Sequence, residues 1–404
     1  MFEMSHARFS GANKNVFLIF ILMFNALTWF YITWETIDKV LKRQGATAQV
    51  LITWTAYYIA IVGSGILGSI LSNRLRTQHF FYFWVLSGIL SSLSLVWFNG
   101  IDVTETLTIS LFLGFSFGLG MPTLLSSFAE CINVENRGRS AGIIFLAINL
   151  GAPIFTIFVE TFDLTTISII SAVWRCFALI LFFLSKIPTR TKEATKTFSF
   201  SLVFQDKAFI LYFVAWLLFC FVDSFEKLIL SGFLEADFYS LMLLVEAAIG
   251  GVFGFVGGLL CDFVGRKRVV IYGFVTLGLA YAIISIVPIT ISWYLYFIVD
   301  GISGGMLWVA FFFVLWADLS QHGRREKYYA IGSSPYFLAP LIRVILSPFV
   351  AFPAYAAFSL ASFFLFVAVL PLMYAPETLP EKKIELRRLK KYVEEARKVK
   401  EKHE

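Results

Sequence analysis

Six ionisable residues in the second half of this 404-residue chain fall inside apolar runs: Asp223, Glu226, Lys227, Glu246, Asp300 and Arg343. A charged side chain in hydrocarbon costs roughly 2.5 to 3.5 kcal/mol on insertion scales unless it is paired or wetted, so each is a candidate for function. Asp223 and Lys227 stand four apart and can pair on one helix face. Glu226 would then have to share that lysine or go without. Glu246 has no basic neighbour on its own run and sits one turn before a series of glycines. A buried, unpaired carboxylate tends to take up a proton, and such a group can couple proton movement to a conformational change. Glu246 is therefore the leading candidate for proton coupling, with Asp223 and Glu226 in reserve. The competing role for Glu246 is a fixed pair with Arg343 from another helix. Asp300 opens a glycine-rich stretch (Gly301, Gly304, Gly305) and belongs either to a central cavity or to the outer headgroup zone.

The first half offers one deep charge, Arg175, behind Ser168, Ser171 and Ala172 on the same helical face. That small, polar stripe faces protein rather than lipid, which suits Arg175 to a structural or a functional role. Asn25 and Asn149 lie near the middle of their runs, either as cavity residues or as interhelical hydrogen-bond glue. None of the histidines at 6, 79, 322 and 403 lies deep in a span, so a coupled proton must ride on a carboxylate. No Ser/His/Asp set, phosphate loop or metal-ligand cluster appears, and the four cysteines show no pair spacing. An enzyme is not expected, and neither is a cofactor or a metal.

These residues are positioned by helices that a membrane must hold. With 58% hydrophobic and 15% charged residues, 46 Phe and a mean hydropathy of +0.78, the chain cannot hide its apolar surface in a soluble fold. Runs of roughly 20 apolar residues predict about twelve spans. They cover 15–36, 48–71, 79–98, 106–129, 140–160, 164–185, 208–231, 238–261, 269–288, 292–317, 328–349 and 353–374. The run after the polar residues 1–14 lacks a small-residue cleavage site and reads as a retained span. Of the basic residues, 17 fall in predicted inner loops against three outside (Lys39, Lys42, Arg43), which puts both termini in the cytoplasm. The net charge of +6 is parcelled among loops and a tail rather than gathered on one face, which argues against nucleic acid. Single cysteines at Asn73, Arg190 and Gln321 should resist an impermeant thiol reagent added to intact cells, and one at Thr104 should react. Labelling of the Gln321 site from outside would overturn the count of twelve.

One short stretch orders the rest. Gly258-Leu-Leu-Cys-Asp262-Phe-Val-Gly265-Arg266-Lys267-Arg268 follows the glycine series Gly250, Gly251, Gly254 and Gly257. Missing side chains there let a neighbouring backbone come close, Gly265 permits a tight turn, and the basic triplet holds that turn inside. This stretch resembles the signature loop of the major facilitator superfamily at nearly every position. Gly68-Ser-Ile-Leu-Ser-Asn-Arg74-Leu-Arg76 is a worn copy 190 residues earlier, with Ser72 and Leu75 where Asp and Gly are expected. Glu130, followed by Arg137 and Gly138, is echoed by Asp318 and Arg325 at an offset of 188. Two landmarks at nearly one offset predict a duplicated six-helix unit. Ala375-Pro376-Glu377-Thr378 is similar to the Pro-Glu-Thr that follows the last helix in the sugar porter branch.

The expected fold is all-α: a polytopic membrane protein with two pseudo-symmetric six-helix bundles, 1–185 and 208–374. A cytoplasmic linker, 186–207, joins them, and a basic amphipathic tail, 375–404, lies on the inner leaflet or in solvent. The resemblance implies a monomeric secondary transporter in the cytoplasmic membrane, moving a small solute, a sugar or related metabolite, with protons by alternating access. Its gating residues would be Gly258, Asp262, Gly265, Arg266, Lys267, Glu130, Arg137, Gly138, Asp318 and Arg325. Its cavity would be lined by Asn25, Asn149, Asp300 and Arg343. An efflux pump for amphipathic or cationic compounds, and a receptor that kept the fold without transport, are the alternatives.

Overall fold

The protein is described by a computed structural model covering residues 2–44, 47–75, 77–98, 101–184, 199–320, 325–347 and 353–379. Among these residues twelve helices are long and apolar enough to cross a membrane. They are α1 (Phe2–Gln44), α2 (Thr47–Arg74), α3 (Thr77–Ser94), α4 (Val103–Cys131), α5 (Arg137–Thr161) and α6 (Leu164–Leu184). The second set is α7 (Lys207–Phe233), α8 (Ala236–Phe263), α9 (Arg266–Ile286), α10 (Thr290–Leu319), α11 (Arg325–Leu346) and α12 (Ala354–Tyr374). An even number of crossings puts the two chain ends on one face, called here the termini side. Most of the linker and tail, 185–198 and 380–404, and the positions Arg76, Arg190 and Gln321 lie outside the described residues. Within the linker the described part forms one short helix, Ser201–Gln205.

Helix starts carry their own stop signals for unpaired N–H groups. Asp102 accepts from the Thr104 and Glu105 amides at the head of α4, and Asp206 does the same for Ala208 and Phe209 at α7. The start of α9 has no such residue beside it. Glu377 from beyond α12 supplies the cap, accepting from the Arg266 amide at 2.8 Å and the Lys267 amide at 3.2 Å.

Two helices differ from the spans expected. Polar residues end the apolar run of α1, but the helix continues to Gln44, so Lys39, Lys42 and Arg43 stand on it rather than in a loop. Glu35, already within the predicted span 15–36, is partly buried in α1, which corrects the expectation that Arg175 is the one deep charge of the first half. Thr156 of α5 donates to Glu35 at 3.3 Å and Tyr31 meets Thr156 at 3.0 Å. α10 is interrupted by a π-helical segment, Val309–Leu315, whose seven residues are all buried.

Close packing follows the glycines. A side-chain carbon on Gly68 would lie 1.8 Å from the Leu119 carbonyl oxygen, so α2 and α4 touch backbone to backbone. α8 is bounded in the same way on two sides: Gly305 of α10 presses on the Gly250 carbonyl, and Gly258 presses on that of Gly138 in α5. The seam between α5 and α8, together with that of α2 and α4 against α11, joins the two halves.

Candidate functional site

The termini side is shut by a buried ionic network. Asp318, at the end of α10, accepts from Arg137 Nη1 of α5 and from Arg266 Nε at 3.0 Å, and all three side chains are essentially inaccessible. Asp262 accepts the Gly138 amide at 2.9 Å and the Arg139 amide at 2.7 Å, at the N-terminus of α5, and lies 3.2 Å from Arg266. A carboxylate suits that helix end, where free N–H groups and the helix dipole are both positive. Glu130 of α4 meets Arg325 of α11 at 3.6 Å in a more open setting. Each acid thus pairs with the arginine of the opposite half, although the sequence repeat sets it beside the arginine of its own. Gly265 holds a φ of 117°, a conformation that favours glycine, and the Glu377 carboxylate fills the space a side chain would occupy. Lys267 Nζ donates to the Met373 carbonyl at 2.8 Å, and Tyr212 donates to that of Pro376 at 2.8 Å.

Above this closed floor, polar side chains deep in the bundle retain accessible surface. Lys227 of α7 pairs with Asp223 at 3.1 Å, yet the two side chains are 41% and 20% exposed. Glu246 of α8, Asn149 of α5 and Arg343 of α11 are likewise only partly buried. Their partial exposure marks open space beside them where the two halves approach. Aromatic rings from both halves also meet: Phe30 and Phe117 pack on Phe337 at 6.0 Å, and Phe145 stacks on Trp308 at 6.4 Å.

A family model described as the Major Facilitator Superfamily matches residues 230–401, a stretch that contains the signature loop and the capping Glu377. The second half of the chain is thus similar to the major facilitator superfamily. Solved structures of the same fold include the human organic anion transporter MFSD10 (TETRAN), at 14% identity and a TM-score of 0.72 over 89% of this chain and 99% of that one. The proton:xylose symporter XylE bound to 6-bromo-6-deoxy-D-glucose aligns at 14% identity and a TM-score of 0.72 over 91% and 97%. The E. coli fucose:proton symporter FucP aligns at 12% and 0.74 over 91% and 99%. No curated protein sequence matches the chain.

The chain distributes its candidate residues unevenly. Glu246 is not paired with Arg343. It reaches Asp300 of α10 instead, side chain to side chain, across the seam of Gly250 and Gly305. Asp300 is buried there, which removes it from the headgroup zone. Glu226 is buried and accepts the Tyr281 hydroxyl of α9; the Tyr296 hydroxyl lies beside it without an aligned hydrogen bond. Asn25 is fully buried within the first half and does not line the space between halves, correcting its cavity assignment. It accepts from Arg175 at 2.9 Å and donates to the Trp174 carbonyl at 2.7 Å. Arg175 lies between the Trp29 and Trp84 rings, 5.0 and 4.7 Å from their centroids, an aromatic environment that offsets part of its burial. Asn149 keeps a bond to its own helix, at Phe145, and packs on Gly251 at the seam between halves.

Sequence reasoning missed Glu35 and the aromatic pair Tyr58 and Tyr336. Tyr58 accepts from Trp34 Nε1 at 3.2 Å and faces both Arg343 and Lys227. Tyr336 faces Lys227 and Asp223 and packs edge-on against Trp308 at 4.2 Å. Tyr58 stands on α2 and Tyr336 on α11, two helices from opposite halves that meet.

Proposed function

We propose that this secondary transporter couples the movement of a small polar metabolite to protons across the cytoplasmic membrane. It acts as a monomer with both termini inside, and it is seen here with its cytoplasmic face closed. The observation that carries the reading is the packing of Glu246 beside Asp300, where the Glu246 backbone meets Gly301 and the Glu246 side chain stays partly accessible. Two carboxyl groups held close together share a proton more readily than both ionise, so the pair is suited to hold and release one. Asp223 and Glu226 stand close enough to sense that change electrostatically. The inside orientation of the termini rests on the 17 basic residues of the inner loops.

The substrate class is supported from two directions. Pro376-Glu377-Thr378 resembles the sugar porter tail, and two of the similar structures are proton:sugar symporters, while a third is an organic anion transporter. A sugar or an organic acid is the class to screen first, by ligand-induced thermal shift on the purified protein, with cationic drugs as the contrasting set.

For the solute that screen returns, Glu246→Gln should retain exchange in proteoliposomes, which moves no net proton. It should lose accumulation driven by a pH gradient, by a factor of about 10 or more, because glutamine keeps the shape of the protonated form and cannot release a proton. A stable Glu246→Gln protein that still concentrates solute would remove this residue from the mechanism.

A further inference from the structure

Four carboxylates and two cations surround the space between the halves, so their formal charge favours a cationic guest. The hydrogen-bonding capacity they leave unspent favours the opposite. Asp223 is engaged by Lys227 at 3.1 Å, Glu226 by the Tyr281 hydroxyl, and Glu246 and Asp300 by each other. Every acid has a partner supplied by the protein. Arg343 has none of comparable quality. Its one hydrogen bond among the described residues runs from Nη1 to the Ser224 carbonyl at 3.4 Å, and no carboxylate pairs with it. The side chain is only partly buried and spends one of its five N–H donors on that carbonyl. Lys227 adds further donors beside it, since its ammonium spends one on Asp223 and is 41% exposed. A planar guanidinium with a free fork matches a carboxylate with two parallel hydrogen bonds, a fit that ammonium or hydroxyl groups do not offer.

The surroundings define the rest of the guest. Tyr58 from the first half and Tyr336 from the second flank the two cations, with Trp34 and Trp308 packed behind them. Tyr336 is partly exposed and Tyr58 buried, so this aromatic slot offers a guest mainly the Tyr336 ring next to the charged corner. A guest that spans both carries one anionic head and a compact body.

We propose that the transported solute is a small organic monocarboxylate, held through its carboxylate by Arg343 and through its body by the Tyr58–Tyr336 slot. This rests on the transporter reading above and deepens it by naming the substrate class. One carboxylate moving with one proton on the Glu246–Asp300 pair carries no net charge, so transport should be indifferent to membrane potential.

The test uses full-length purified protein and a probe set in which acetate, benzoate and octanoate are each compared with their amide and their amine. Binding is read by quenching of tryptophan fluorescence. At least one carboxylate should bind 10-fold or more tightly than its amide, with its amine weaker still. Arg343→Gln should abolish that preference, and Arg343→Lys, which keeps the charge but not the fork, should weaken binding about 10-fold. Melting curves identify a variant that has failed to fold, and in that event Arg343→Lys carries the test. An amine that binds best, a carboxylate that binds no better than its amide, or affinity unchanged in both Arg343 variants would overturn the proposal. Vesicle uptake separates it from the coupling reading. Arg343-dependent carboxylate binding without gradient-driven accumulation defeats coupling and leaves the ligand class standing. A sugar that accumulates with Arg343→Gln unimpaired does the reverse.

Discussion

Asp318→Asn should open the cytoplasmic face. The Asp318 carboxylate is the shared partner of Arg137 and Arg266, and all three side chains are essentially inaccessible. Asparagine keeps the size but not the charge, so two guanidinium groups would be left buried with too little compensation. Breaking one partner out of a buried ion pair typically costs about 3 to 5 kcal/mol. That penalty applies only while the face is closed, because opening returns the arginines to water. At about 1.4 kcal/mol per factor of ten, the closed-to-open ratio should fall by about 100-fold or more. A cysteine placed at Ala330, buried in α11 near α4 in the closed form, should become reactive to thiol reagents added at the cytoplasmic side. The melting temperature should fall in parallel. Unchanged labelling and melting in Asp318→Asn would show that the network does not hold the face shut.

Gly258→Ala should act on the same equilibrium by crowding rather than by charge. The added carbon would stand 2.1 Å from the Gly138 carbonyl oxygen, a backbone atom that cannot swing aside. α5 and α8 would have to separate at their cytoplasmic ends, at a cost of about 1 to 3 kcal/mol for overpacking. Two other glycines make the comparison informative. Gly68→Ala meets the Leu119 carbonyl within one half, so it should lower the melting temperature without exposing the Ala330 site. Gly63 has no atom within 4 Å of the added carbon, and Gly63→Ala should be neutral or stabilising by up to about 1 kcal/mol through helix propensity. Equal destabilisation by all three would mean that helix chemistry rather than contact between the halves dominates.

The spans and the signature loop were legible in the sequence because hydrocarbon thickness and the tight turn each demand a fixed pattern of residues. What spacing could not supply was partnership between helices. The repeat sets Glu130 beside Arg137 and Asp318 beside Arg325, whereas the fold crosses the pairs because corresponding helix ends of the two halves face each other. Glu35 was hidden for a different reason. It stands one residue from the end of the predicted span 15–36, where a carboxylate is expected to meet water, whereas the helix runs on to Gln44 with its polar turns satisfied by the Asp38–Lys42 pair and by Lys39 on the Phe162 carbonyl. Asn25 shows the limit of residue type: an asparagine suits a cavity or a helix contact equally, and the Arg175 guanidinium against it decides the matter. The meeting of Glu246 and Asp300 had a visible clue in the glycines Gly250 and Gly305, which let their two helices close to backbone contact.

The two seams that join the halves at the termini side are not equivalent. Between α5 and α8 the backbones touch at Gly138 and Gly258, and the ions beside them are dry. Between α4 and α11 the Glu130–Arg325 pair is longer, at 3.6 Å, with the glutamate side chain 31% exposed. Salt reaches exposed charges and hardly touches buried ones. The molecule should therefore loosen in two steps, first along α4 and α11, and along α5 and α8 only when the dry ions beside them part. Rising ionic strength would free the first edge more often without releasing the second.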